Sequence, residues 1–273
     1  MIGFDEPKEK VVKSENRELA NAFWLALNHV EQWIGTQPGA VTVAGAFARK
    51  AKADFDRDKW EQDLQAALSK ADDATRKRVL AAIGDPPDLA KLPRGFWDDV
   101  RAGYAAVIMP ELEAAFLDAA RAFIESEPSI GVNWDLVNRD ASQWAASYTF
   151  ELVKGITTTT RDALQEKVAA YFKAPTTIGA LRESIGTLFD PVRAESIAIT
   201  EITRAATSGE AAVVNLLELD SGIVMEAVFN TVEDERVCPL CSDLDGKVVE
   251  SEDYAPVHPR CRCRTTFRIK GSE

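Results

Sequence analysis

Histidine is scarce in this sequence, with two residues among 273, and the 32 Lys and Arg residues are outnumbered by 44 Asp and Glu. The shortage of histidine weighs against a hydrolytic metalloenzyme, because such sites draw heavily on imidazole as ligand and general base. The formal net charge of −12 excludes a protein that wraps nucleic acid with its whole surface, since phosphate neutralisation needs a basic face. Any contact with DNA must therefore be local.

Long apolar runs are lacking too. No segment approaches the roughly 20 consecutive apolar residues that a membrane-spanning helix requires. The stretch from Met1 to Lys13 is charged where a signal peptide would be apolar. We therefore expect a soluble protein, made in the cytoplasm and without membrane contact, whose 46% apolar residues build a real core.

Apolar residues recur at helical spacing through most of the chain, which predicts a helix-rich body. The expected helices cover about 15–34, 42–83 (in one or two pieces), 96–127, 133–155, 160–172, 177–188 and 191–219. Pro110 predicts a kink or a break in the third of them, because its ring removes a backbone donor. Gly155 is expected to end the fourth, and Pro191 suits the first position of the last.

Strand-like alternation begins only after Gly222, with short candidates at about 224–231, 246–249 and 263–269. The predicted fold class is mainly α, with a long helical body followed by a small α+β C-terminal module. We expect three regions, namely a helical N-terminal region at 1–130, a second helical region at 131–222 and a β-containing, metal-binding module at 223–273.

All four cysteines cluster near the C-terminal end in the pattern C-x2-C-x16-H-x2-C-x-C. The candidate ligands are Cys238, Cys241, His258, Cys261 and Cys263. A two-residue gap lets two thiolates turn onto one ion, and the second group completes a tetrahedron. Four of these five donors would bind zinc, either as four cysteines or as three with His258. The alternative is two disulfides, or thiols that are unliganded or redox-labile, although a cytosolic protein should keep its cysteines reduced.

The predicted zinc is structural. A catalytic zinc site would need an open position and a nearby general base, and neither H-E-x-x-H nor H-x-E followed by P-C-x-x-C occurs. A region with three short strands has little core of its own, so a metal would supply folding free energy that apolar burial does not. We therefore predict a module stapled by zinc.

Basic residues concentrate around the last cysteines. They are Arg260, Arg262, Arg264, Arg268 and Lys270, opposed after Arg260 only by Glu273. This local charge predicts either a solvated strand face or a contact with DNA or an acidic partner.

Three charged residues lie on one side of the helix that precedes the module. Glu201 and Arg204 are spaced to pair, whereas Arg193 lies about two turns earlier and its partner stays open. We predict a structural ion-pair network rather than acid–base catalysis, because no second acid or nucleophile accompanies them.

Four sequence blocks have the order and approximate spacing of a known family. They read Arg193-Ala-x-x-Ile-Ala-x-Thr-Glu-x-x-Arg-Ala, Asp234-Glu-Arg-Val-Cys-Pro-Leu-Cys241, Leu244-Asp-Gly-Lys-Val and His258-Pro-Arg-Cys-Arg-Cys263. Here the chain resembles the tailed-phage head morphogenesis family, the Mu F-like minor head proteins. The resemblance covers about residues 140 to 270, and the first 130 residues share only a helical character with the family.

The resemblance implies a minor capsid protein of the virion, made in the host cytoplasm, that joins the procapsid beside the portal and lies inside the head. The expected partners are the portal protein and other capsid or scaffold components, with weak DNA contact. The expected role is in head assembly and in DNA retention or ejection. The resemblance brings no catalytic residues, so we expect no enzyme. Two other readings stay open: a zinc-dependent nuclease or hydrolase using Glu201, Asp234 or His258, and a cellular zinc-stabilised adaptor.

Overall fold

The structure is a computed structural model, and it describes residues 55–126, 132–174, 176–232 and 237–270. Within these residues the helices are α1 (Arg57–Ala82), α2 (Phe96–Ser126), α3 (Trp134–Lys173), α4 (Ile178–Gly186), α5 (Pro191–Ser221) and α6 (Pro239–Leu244). The strands are β1 (Met225–Asn230), β2 (Val248–Val249) and β3 (Arg264–Ile269). The helix predicted at 15–34 and the start of the one predicted at 42–83 lie outside the described residues.

Polar side chains begin most of these helices. The carboxylate of Asp56 accepts from the backbone N–H of Lys59 at the start of α1, and Thr177 caps α4 in the same way. Asp190 caps α5, whose first residue is Pro191, as predicted. Gly222, with φ of 68°, ends α5 in the left-handed conformation that glycine adopts without strain.

Of the kink or break predicted at Pro110, the break does not occur, because α2 runs unbroken through this residue. Proline removes one backbone donor, which costs a helix about 3 kcal/mol in isolation. Ile108 and Leu112, on either side of it, are fully buried. The packing of α2 against α1, α3 and α5 therefore outweighs the lost hydrogen bond.

The predicted end at Gly155 and the predicted new start at Thr160 are also wrong, because α3 is one helix of 40 residues. The hydroxyls of Thr157 and Thr160 donate to the carbonyls of Val153 and Ile156, four residues earlier. Both threonines are buried. Their hydroxyls thus find partners inside the helix, and burial holds a threonine-rich segment helical against its intrinsic preference.

Two apolar clusters fill the helical body. One is centred on α1, α2 and α5 with side chains such as Leu64, Ile108 and Ile202. The other surrounds Phe116, Val137 and Val213 where α2, α3 and α5 meet. At this second junction α5 approaches α2 so closely that a Cβ added to Gly209 would lie 2.2 Å from the carbonyl oxygen of Phe116.

The module contains a three-stranded antiparallel sheet in the order β2-β1-β3. Ala227 of the central strand pairs with Val249 on one side and Phe267 on the other. The three predicted strands are confirmed, with bounds that differ by one or two residues. The mainly α fold class with a small C-terminal sheet is likewise confirmed.

Among the described residues, none of the helices combines the length and apolar character needed to cross a bilayer.

Candidate metal centre

The short helix α6 brings the first two cysteines to one side of a single turn. Cys238 precedes α6, Pro239 occupies its first position, and the backbone N–H of Cys241 donates to the sulfur of Cys238 at 3.4 Å. Sulfur here takes the part that an oxygen plays in an ordinary helix cap. The C-x2-C spacing therefore directs both sulfurs towards the same point.

The remaining donors arrive from the turn that leads into β3. Cys261 N–H donates to the carbonyl of His258, and Arg260 between them has a positive φ of 61°. A non-glycine residue in this conformation needs support from its surroundings. The support comes from Thr200 of α5, whose hydroxyl accepts from the backbone N–H of Arg260 at 2.9 Å.

Five donor atoms converge between these two segments. The His258 Nε2 atom lies 3.2 Å from Cys238 Sγ and 3.0 Å from Cys241 Sγ, and Cys241 Sγ lies 3.8 Å from Cys261 Sγ. The donors form two overlapping triads, Cys238–Cys241–His258 and Cys241–Cys261–Cys263, and within each triad the ligand atoms are within 4.8 Å of one another. The structure thus brings all five predicted ligands together, with Cys241 common to both triads, and the cluster can hold a metal ion.

The cysteine thiols differ in their electrostatic setting. Burial raises the pKa of the Cys241 and Cys263 thiols, whereas the backbone N–H of Cys241 lowers the pKa of Cys238. The four cysteines are free thiols. Soft sulfur and imidazole donors without a carboxylate favour a borderline-soft ion such as zinc over calcium or magnesium.

One backbone contact orients the imidazole. His258 Nδ1 lies 2.8 Å from the carbonyl oxygen of Pro259. A carbonyl can only accept, so Nδ1 carries the proton and Nε2 presents its lone pair to the two sulfurs. This second contact is typical of metal-binding histidines.

The metal loop, defined as His258 to Cys263, is fastened to the helical body. Thr203 of α5 donates to the carbonyl oxygen of Cys261 at 3.0 Å, and both residues are buried. The chain then alternates, with Cys261 and Cys263 buried and Arg262 exposed between them. Sulfur ligands therefore face the cluster while the intervening arginine reaches outwards.

Residues 152–266 match the family described as Phage Mu protein F like protein. This match confirms the resemblance of this part of the chain to the phage Mu F-like family. The Mu F-like segment extends from α3 into β3 and contains all five candidate ligands. No curated protein and no solved structure matches the chain.

The basic residues of the Mu F-like segment are less available than their sequence suggests. Arg260 pairs with Glu195 at 3.1 Å, and Arg262 pairs at 2.6 Å with Glu61, whose side chain is 7% exposed. Arg268, just beyond the segment, pairs with Glu226 at 2.7 Å. These carboxylates are distant in sequence, and only the tertiary fold brings them close. The other two predicted contact residues, Arg264 and Lys270, are exposed as well.

The predicted network of Arg193, Glu201 and Arg204 divides into two. Arg204 lies 3.5 Å from Glu201, which also accepts from the hydroxyl of Tyr148. Burial raises the pKa of Glu201. This half joins two residues of the predicted set and adds a tyrosine from α3.

Arg193 belongs to the other half, centred on Asp72 of α1. Its guanidinium lies 3.8 Å from Asp72 and donates to Thr160 at 3.0 Å, and the hydroxyl of Tyr104 donates to Asp72. Asp72 is 4% exposed, and burial raises its pKa. The sequence could have indicated that Asp72 is buried, because it lies four residues after Leu68 in the buried stripe of α1.

Of the residues named for the nuclease, Glu201 and His258 are described, and they share no group of possible metal ligands. Within the described part of the chain, the groups able to hold a metal are confined to the cysteine and histidine cluster, and Glu201 is in neither triad. Asp234 lies outside the described residues.

Proposed function

We propose that this protein is a minor head protein of a tailed phage that joins the procapsid beside the portal and remains inside the virion head. The observation that carries the proposal is the match of residues 152–266 to the phage Mu protein F-like family. An acidic, helix-rich body with several exposed apolar side chains supports a role in protein contacts. The protein acts in head assembly and in DNA retention or ejection, and it catalyses no reaction.

The test is co-expression with the cognate portal protein, followed by sedimentation. The two proteins should sediment together, with the helical body as the portal-binding part. Separate sedimentation at concentrations where procapsids assemble would contradict the portal role. Metal-dependent cleavage of DNA that is lost on Glu201→Gln or His258→Ala would instead favour the nuclease.

We further propose that the cluster binds one structural zinc through Cys238, Cys241, Cys261 and His258. A zinc–sulfur bond of about 2.3 Å gives a sulfur–sulfur edge of about 3.8 Å in a tetrahedron. The separation of Cys241 and Cys261 has this value, and the tautomer of His258 leaves Nε2 able to coordinate. Bound zinc would join α6 to the metal loop, and Cys263 would lie beside it as a buried thiol.

Elemental analysis of protein purified without chelator tests the zinc, with about one zinc per chain expected. His258→Ala should lower the zinc content and Cys263→Ser should preserve it. The reverse result would assign the fourth position to Cys263. A metal-free protein whose four thiols titrate freely in the native state would remove the zinc proposal.

A further inference from the structure

A polar cavity lies beside the metal loop, and Arg262 of that loop lines it. Its volume is about 550 Å³, and its walls come from α1, the end of β1, the turn before β2, and the start of β3. The lining residues that matter here are Arg57, Asp245, Arg262 and Arg264. Three guanidinium groups therefore share one cavity on a protein whose formal net charge is −12.

The other polar groups of this cavity are engaged within the protein. Thr231 donates to one carboxylate oxygen of Asp245 through both its backbone N–H and its hydroxyl. The amide of Asn230 donates to Val228 and to Thr266. The N–H groups that remain to bind a ligand belong mainly to the three arginines, each of which carries five.

Two of the three guanidiniums are held in place. Arg57 donates to the backbone carbonyl of Arg262, and Arg262 pairs with the buried Glu61. Each of these contacts uses part of the guanidinium and leaves further N–H groups. Arg264 is exposed on β3. Fixed donors lose little conformational entropy when they bind a ligand.

Carboxylates of Glu61, Asp245 and Glu210 also lie near the three arginines. Burial, and then the nearby charges of Arg262 and Arg264, lower the pKa of Arg57 against the opposing effect of two glutamates. One of these, Glu210 of α5, has its pKa raised by burial to about 7. Burial also raises the pKa of Glu61, so both glutamates hold a proton more readily than an exposed carboxylate does.

We propose that this cavity binds a phosphate group through Arg57, Arg262 and Arg264. The planar guanidinium matches phosphate oxygens with paired hydrogen bonds, and several arginines together favour a doubly charged or bridging anion. The phosphate is either a phosphodiester of DNA or a free phosphate ion. Binding of a DNA phosphodiester rests on the proposed role in DNA retention or ejection. It would place the DNA contact at Arg57 and Arg264 rather than at Arg260 and Arg268, which are paired with carboxylates.

The experiment uses the full chain and two probes, inorganic phosphate by calorimetry and a labelled DNA duplex by fluorescence anisotropy. Arg264→Gln is the main variant because the side chain is exposed, and Arg57→Gln is the second. Arg268→Gln is the matched control, since it removes an exposed arginine of the same strand that lies outside the cavity. Circular dichroism and thermal melts confirm that each variant is folded.

Each cavity variant should weaken phosphate binding about tenfold, whereas the control should change it less than about twofold. If the source is DNA, the same variants weaken duplex binding and phosphate competes with the duplex. Loss of phosphate binding alone, with duplex binding unchanged, supports the cavity with free phosphate as its ligand. Equal effects of Arg264→Gln and Arg268→Gln, or no phosphate binding by the parent protein, would overturn the proposal. Portal co-sedimentation of the Arg264→Gln variant reports on the head function separately.

Discussion

The helical body and the C-terminal module achieve their stability by different means. Of the twelve largest fully buried side chains among the described residues, only Phe229 lies in the module. The module's own cluster instead includes three cysteines, Cys241, Cys261 and Cys263. Apolar burial at about 25 cal/mol per Å² can hold the body. Under the zinc proposal, the module, with few large buried side chains, gains its remaining stability from the metal and from contacts with α5.

The largest effect should come from removing the metal site. Cys241→Ser takes away the sulfur shared by both triads, and structural zinc contributes on the order of 10 kcal/mol to the folding of small metal domains. The module should become protease-sensitive while most of the helical circular dichroism remains. Cys238→Ser should act in the same direction.

Ser242→Ala is the matched control, because Ser242 is exposed on the same short helix. It should leave proteolysis unchanged. Loss of the whole helical signal in Cys241→Ser would show that body and module unfold as one cooperative unit.

The next effect should come from the body alone. Gly209→Ala places a Cβ 2.2 Å from the carbonyl oxygen of Phe116, so α5 and α2 must separate. We expect a loss of about 3 kcal/mol in the free energy of unfolding, measured with denaturant. Gly103→Ala is the control, since a Cβ there meets nothing within 4 Å, and it should stabilise α2 by up to about 1 kcal/mol. Equal effects at both positions would contradict the close approach.

Much of this architecture is predictable from local pattern. The three strands, the start of α5 at Pro191 and the convergence of five ligands follow from alternation, proline position and cysteine spacing. Those signals act over a few residues, where sequence and geometry are tightly linked.

Other features depend on what packs against a segment. Pro110 and Gly155 are local signals for ending a helix, and tertiary burial overrides both. The partners of Arg260, Arg262 and Arg268 are carboxylates on other elements, so no spacing rule could identify them. A basic cluster in sequence therefore overstated the charge available to a partner.

A smaller effect should appear at the joint between the two regions. A double-mutant cycle of Glu61→Gln with Arg262→Gln should give a coupling of about 1–2 kcal/mol, because Glu61 is buried and hydrogen-bonded to the guanidinium. The same cycle at Glu151 and Lys154, both exposed on α3, should give less than about 0.5 kcal/mol. Denaturant melts measure both couplings, and similar values would mean that the joint contributes no more than a surface pair.

The smallest expected effect depends on pH. The folded pKa of Glu210 is raised to about 7 by burial, above its ordinary value, so the folded state holds this proton more tightly and stability falls as pH rises towards 7. Glu210→Gln removes that dependence. The variant should gain on the order of 1 kcal/mol over the parent at pH 8 and almost nothing at pH 5. Thermal melts at the two pH values measure this, and a gain confined to pH 5 would reverse the sign and contradict the assignment.

The alternation of Cys261, Arg262 and Cys263 affects which fragment of this chain keeps the contacts of the metal loop. The two cysteines face the sulfur cluster, while the arginine between them pairs with Glu61, some two hundred residues earlier. A fragment that begins after α1 would keep every candidate ligand and yet leave Arg262 without its carboxylate. A piece transplanted into another protein keeps this ion pair only if it carries α1 with it, although α1 supplies no ligand.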